Sequence, residues 1–135
     1  MWSRINRGTP ERPGLVFAML SGGSCRGMVF RVPRHEGREV LTRLWSREMA
    51  TAVYDPKWLT CHTPQGPVKA LAFTLSRKSP SHTGELSAEE YRAIFEHAKG
   101  IYGTTLEYAH RTFEELRRHN IRDRTLEKLL KLIGR

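Results

Sequence analysis

The sequence predicts an α+β fold, and three observations carry that prediction. Short apolar or alternating runs bounded by Gly and Pro are confined to the first 75 residues. Two Ser/Thr-x-x-Glu capping boxes appear only after residue 86. One helix-period stripe, Val40, Leu41, Leu44 and Trp45, interrupts the strand-rich half. Strands first, one inserted helix, and then a helical tail is a segregated layout rather than an alternating one. At 135 residues the chain is expected to hold one core.

Each element has a local reason. Residues 1–14 hold two Gly and two Pro and read as a loop-like amino-terminal segment, with the domain proper expected over 15–135. Leu15–Leu20 reads as a buried strand closed by Ser21-Gly22-Gly23. Cys25–Val32 alternates, with Met28, Phe30 and Val32 on one face, so the two are expected to form a hairpin ended by Pro33. The inserted helix should span Glu36–Arg47. Ala50–Tyr54 reads as a strand. Trp58–His62 and Val68–Leu75 read as a pair around Pro64-Gln65-Gly66-Pro67. Ser87 and Glu90 open a helix that Gly100 suits as a terminator; Thr104 and Glu107 open a second that Asn120 can end. Asp123 caps a third, with Leu126, Leu129, Leu130 and Ile133 on one side.

Composition narrows the class of function. The formal charge is +9, and residues 1–48 hold nine Arg, no Lys and four Glu. A solvated basic surface, a nucleic-acid partner and a small anionic substrate all fit such a balance. No zinc-finger spacing, aromatic RNA-binding strand or GxxG helix pair accompanies the charge, so no nucleic acid is expected. No apolar run reaches membrane-spanning length and the first residues lack a signal-peptide core. Cys25 and Cys61 form no CxxC pair, which points to reduced thiols and a cytoplasmic protein. Neither they nor His110 and His119 imply a site.

Glu48 is the exception within the helical stripe. It falls on the face of Leu41 and Leu44, in a last turn where the macrodipole favours cations. One reading is a frayed helix end paired with Arg47 or Arg43. The other is a partly desolvated carboxylate whose pKa is raised, poised to take and return a proton.

The run of motifs around it resembles a known family. RGTPERPGLV, GGSCRGMVFRVP and LTRLWSREM followed five residues on by Tyr54 are similar to the ChaC-type γ-glutamylcyclotransferases, the glutathione-specific branch of that class. VKALAF, Gly84-Glu85-Leu86 and EYAHRTFEELRRHNIRD continue the match, which covers residues 7–132 in order. The resemblance implies that Glu48 is the catalytic proton acceptor, with Tyr54, Tyr108 and Arg47 as substrate-binding candidates and Arg7 a further guanidinium near the substrate's carboxylates. It implies a small mixed or antiparallel β-barrel with one inserted helix and carboxy-terminal helices. The implied reaction acts on glutathione: the γ-glutamyl α-amine attacks its own side-chain amide, giving 5-oxoproline and cysteinylglycine with no metal or cofactor.

Two departures follow. The family's first strand carries a Tyr-Gly-Ser-Leu loop that grips the γ-glutamyl head, and these 135 residues do not contain it. The sequence therefore reads as lacking that first strand, which implies weakened activity and ready self-association. The alternative is an inactive truncated relative acting as a basic binding module. Where relatives have Gly-x-Asn before the helical Tyr, this chain has Gly103-Thr104-Thr105, with Thr105 still able to cap the helix.

Overall fold

The computed structural model describes residues 1–134. In chain order its elements are β1 (Trp2–Ser3), β2 (Gly14–Leu15), β3 (Met19–Leu20), a 3₁₀ turn (Arg34–Glu36), α1 (Gly37–Glu48), β4 (Asp55–Thr63), β5 (Gly66–Leu75), α2 (Ala88–His97), β6 (Lys99–Gly100), β7 (Gly103–Thr104), α3 (Thr105–Arg118) and α4 (Arg124–Ile133). They fall into two compact units, Met1–Phe17 with the residues from Pro80 on, and Ala18–Ser79. The α+β class stands. The strands make one three-stranded sheet and two short pairs, β1–β2 and β6–β7. Among the described residues they close no barrel.

In the first unit α2, α3 and α4 pack around Phe95, Ala109 and Leu126. Tyr91, Leu106, Phe113, Leu116, Leu130 and Ile133 complete the cluster. Both capping boxes form as expected. Ser87 Oγ accepts the Glu90 N–H at 3.2 Å while the Glu90 carboxylate accepts the Ser87 N–H at 2.7 Å. Thr104 and Glu107 repeat the exchange at 3.0 and 2.8 Å. Asp123 accepts from the Leu126 N–H at 2.9 Å. Asn120 ends α3 in the left-handed region at φ 55°, which Asn tolerates better than most residues.

Those backbone N–H donors hold the carboxyl groups of Glu90 and Glu107 below the ordinary glutamate range. A depressed carboxylate stabilises the fold fully above its unfolded pKa, and that contribution is lost as pH falls through the lower folded value. Thermal stability is therefore expected to decline on acidification below about pH 4.3, the unperturbed glutamate value. Glu107→Gln, which cannot titrate, should flatten the decline in a series of melts.

Gly100 does not terminate α2, which ends at His97. Gly100 instead lies against the backbone of Ile5, Asn6 and Arg7, where a Cβ has no room. The Ile101 and Tyr102 N–H groups donate to the Ile5 and Asn6 carbonyls at 2.9 and 3.0 Å. The glycine is there for close approach between two chain segments.

In the second unit β4 and β5 form an antiparallel hairpin from Asp55↔Thr74 to Thr63↔Gly66, and β3 adds in parallel beside β5. The turn is the two residues Pro64 and Gln65, with Gly66 at φ 106°. Both strands run longer than the expected Trp58–His62 and Val68–Leu75, because the ladder continues to Asp55 at one end and to Thr63↔Gly66 at the other. Three expectations fail here. Leu15–Leu20 is not one strand but two short pieces with different partners. Cys25–Val32 forms no strand and no hairpin: its alternation finds no partner ladder, and Phe30 is 80% exposed. Ala50–Tyr54 is a turn, in which Ala52 adopts φ 51°. Helix α1 begins and ends one residue later than expected, and Leu41 and Trp45 remain more than two-fifths exposed.

Strand β4 has a strand neighbour on one side only among the described residues, and Trp58 on it is 67% exposed. Unpaired edges with apolar side chains favour association. Concentration-dependent self-association in sedimentation runs is expected, and Trp58→Lys should reduce it.

Candidate functional site

In the second unit, Glu48 is the last residue of α1, and the next N–H, of Met49, returns to the Trp45 carbonyl at 2.8 Å. Trp45, one turn back, stands edge-on to Phe73 of β5 with ring centroids 6.0 Å apart. That contact ties the end of α1 to the hairpin. The Glu48 side chain is only 26% exposed, whereas its neighbour Arg47 is 73% exposed. Arg47 donates through Nε to Glu48 Oε1 at 3.0 Å. The pairing expected of a bland helix end is thus present together with the burial expected of a reactive carboxylate. Oε1 is thus paired, and Oε2 makes no hydrogen bond among the described residues. Tyr54, half-buried, follows the left-handed Ala52 and leads directly into β4.

In the first unit, Tyr108 lies one turn into α3 and its hydroxyl accepts the Phe17 N–H at 3.0 Å. The Arg7 guanidinium sits over its ring, 5.5 Å from the centroid. Arg7 Nη1 donates to the Tyr102 carbonyl at 2.7 Å and the Thr104 carbonyl at 3.4 Å. Arg7 therefore spends one nitrogen on the backbone that opens α3.

Thr105 is not the helix cap. Thr104 holds that role, and Thr105, 1% exposed, turns its hydroxyl inward to donate to the Arg7 carbonyl and accept the Leu15 N–H, both at 3.1 Å. The capping-box spacing to Glu107 selects Thr104, so the expectation that Thr105 caps the helix fails. Of the expected site residues, Arg47 and Glu48 meet in one unit, and Tyr108 finds Arg7 and Phe17 in the other. Two open concavities of about 470 and 380 Å³ in the first unit include neither Arg7 nor Tyr108 in their walls.

A family model described as ChaC-like protein matches residues 1–135. The chain belongs to the ChaC-like family. A glutathione-specific γ-glutamylcyclotransferase of Escherichia coli is 31% identical over 125 residues, covering 92% of this chain and 54% of that protein. A mouse protein named glutathione-specific γ-glutamylcyclotransferase 1 is 29% identical over 137 residues, covering 96% of this chain and 61% of its own length. The chain thus spans somewhat over half the length of these ChaC-like relatives. The crystal structure of a yeast γ-glutamyl cyclotransferase specific to glutathione superposes with a TM-score of 0.74 at 17% identity, over 98% of this chain and 80% of that one. That likeness shows a shared fold. No helix among the described residues is long and apolar enough to cross a membrane.

Proposed function

We propose that the chain is the glutathione-cleaving part of a γ-glutamylcyclotransferase, with Glu48 as its proton-transferring group. The observation that carries this reading is the Glu48 carboxylate, three-quarters withdrawn from solvent beside an exposed arginine and with one oxygen making no hydrogen bond among the described residues. It stands at the position that the family resemblance assigns to the base.

The chemistry asks little of the protein beyond this group and a grip on the substrate. Nucleophile and electrophile belong to one molecule, so a bent γ-glutamyl chain gains much of the effective molarity of ring closure. The α-amine attacks the side-chain amide carbon and forms the new C–N bond of the five-membered lactam. Glu48 Oε2 takes the proton that the attacking nitrogen sheds. As the old amide C–N bond breaks, the protonated carboxyl returns that proton to the departing nitrogen, so cysteinylglycine leaves as a neutral amine. Both transfers use one oxygen and the carboxylate is regenerated. Arg47, exposed beside it, offers a planar fork to a substrate carboxylate. The family resemblance adds the Tyr54 and Tyr108 hydroxyls as substrate-binding candidates. This reading puts the protein in the cytoplasm; the two cysteines of the sequence, Cys25 and Cys61, form no CxxC pair.

The competing reading, a basic binding module without turnover, draws on the formal charge of +9 and on exposed Phe30 and Trp58; the family's Tyr-Gly-Ser-Leu signature lies outside these 135 residues. One assay separates the two. The chain is incubated with glutathione, alone and with an added amino-terminal strand carrying that signature, and cysteinylglycine is quantified. Release by the extended chain, with weaker release by the chain alone, supports the enzyme. Removing a single oxyanion donor can cost about 10²–10³-fold, which sets the scale of the difference. Absence of product from both supports the binding module.

A further inference from the structure

We propose that Thr105 and Arg7 are positioning residues for Tyr108, fixing its hydroxyl as a hydrogen-bond donor to the substrate. The inference rests on the reading of Tyr108 as substrate-binding. Tyr108 is held at two points, and each lies on a different chain segment. Its ring lies under the guanidinium of Arg7, and its oxygen accepts from the N–H of Phe17. Because the oxygen accepts that N–H, the phenol's own proton is left to point elsewhere, toward a bound acceptor.

The two segments flank the 8–13 loop, and one buried hydroxyl ties them together. Thr105 Oγ1 donates to the Arg7 carbonyl on one side and accepts from the Leu15 N–H on the other. Leu15 is two residues from Phe17, and Thr105 is one helical turn before Tyr108. Further contacts make the clamp stiff. The Arg7 N–H donates to Ser3 Oγ at 3.0 Å, and the Thr105 N–H donates to the Ala98 carbonyl at 3.2 Å. Gly14 packs against the Arg7 carbonyl and Thr105 Oγ1 so closely that no Cβ fits. A side chain at 105 that served only to fill volume would have no need of a hydroxyl. This one uses its hydroxyl as both donor and acceptor, on a residue only 1% exposed.

The test compares Thr105→Val, which keeps the volume and deletes both bonds, with Thr105→Ser, which keeps the hydroxyl. In the extended chain, Thr105→Val is expected to lower kcat/KM for glutathione about 10–100-fold, the scale of a small misplacement of a binding group. The loss should fall mainly on KM, since Glu48 is untouched, and Thr105→Ser should restore most of it. In a Tyr108→Phe background, Thr105→Val should change kcat/KM by less than about threefold, since residues acting through one group are not additive. Multiplicative effects, or a serine variant no better than valine, would overturn the proposal. Amide exchange of Phe17 gives an answer that needs no turnover. Thr105→Val should speed exchange at Phe17 while Thr105→Ser leaves it slow, and unchanged exchange in Thr105→Val would also overturn the proposal. If the unsubstituted extended chain releases no product, the functional reading fails by itself, and the Phe17 amide still decides whether Thr105 positions Tyr108.

Discussion

Glu48→Gln is expected to reduce release of 5-oxoproline by at least a hundredfold while circular dichroism and melting temperature stay near those of the parent chain. Gln is nearly isosteric, and its amide oxygen still accepts from Arg47 Nε at the helix end. The amide cannot bind the proton shed by the attacking amine. The two proton transfers then fall to water, and general acid–base catalysis is worth about 10²–10⁴-fold. Burial makes the comparison informative: with the side chain 26% exposed, packing is preserved by an isostere and would be disturbed by Ala. A loss smaller than about tenfold would move the base to another residue.

Phe95→Ala is expected to cost about 3–5 kcal/mol, the usual range for truncating a buried aromatic. Phe95 is 5% exposed and stands in the core cluster with Ala109 of α3 and Leu126 of α4, so its ring fills the space that three helices share. Domains of this size are stable by only about 5–15 kcal/mol, so the variant should lose much of its margin. Urea melts followed by the helical signal measure it. The prediction is specific to the first unit. The β4–β5 hairpin shares no residue with that cluster, so a probe at Trp58 should respond less than the helical signal does.

What the sequence disclosed was what is local. The capping boxes at Ser87 and Thr104, the Asp123 cap and the Pro64-Gln65-Gly66 turn each carry their cause within four residues, and all form. A strand is different, because it exists only with a partner. The alternation of Cys25–Val32 is as regular as that of many strands, yet no ladder lies beside it. Ala50–Tyr54 has β-branched and aromatic residues, but the chain must turn between α1 and β4, and Ala52 takes the left-handed conformation to do so. That conformation costs an L-residue roughly 1–2 kcal/mol, and no residue pattern announces it. The roles of Gly100 and Thr105 escape the local sequence for the same reason. Their roles are set by Ile5, Arg7 and Leu15, about 90 residues away in the chain.

The candidate site divides along the same line. Glu48 was legible because a carboxylate breaks an apolar stripe, which is a pattern within one helix. Its pairing with Arg47 was legible too, being between neighbours. The setting of Tyr108 was not, since Phe17 and Arg7 reach it across the fold of the first unit.

The central claim is intramolecular attack by the γ-glutamyl amine, and running the glutathione reaction in ¹⁸O-labelled water tests it most directly. Ring closure consumes no water, so the expected result is 5-oxoproline without ¹⁸O in amounts equal to cysteinylglycine, with no glutamate formed. Glutamate carrying ¹⁸O would show that water attacks the amide, and would contradict the account.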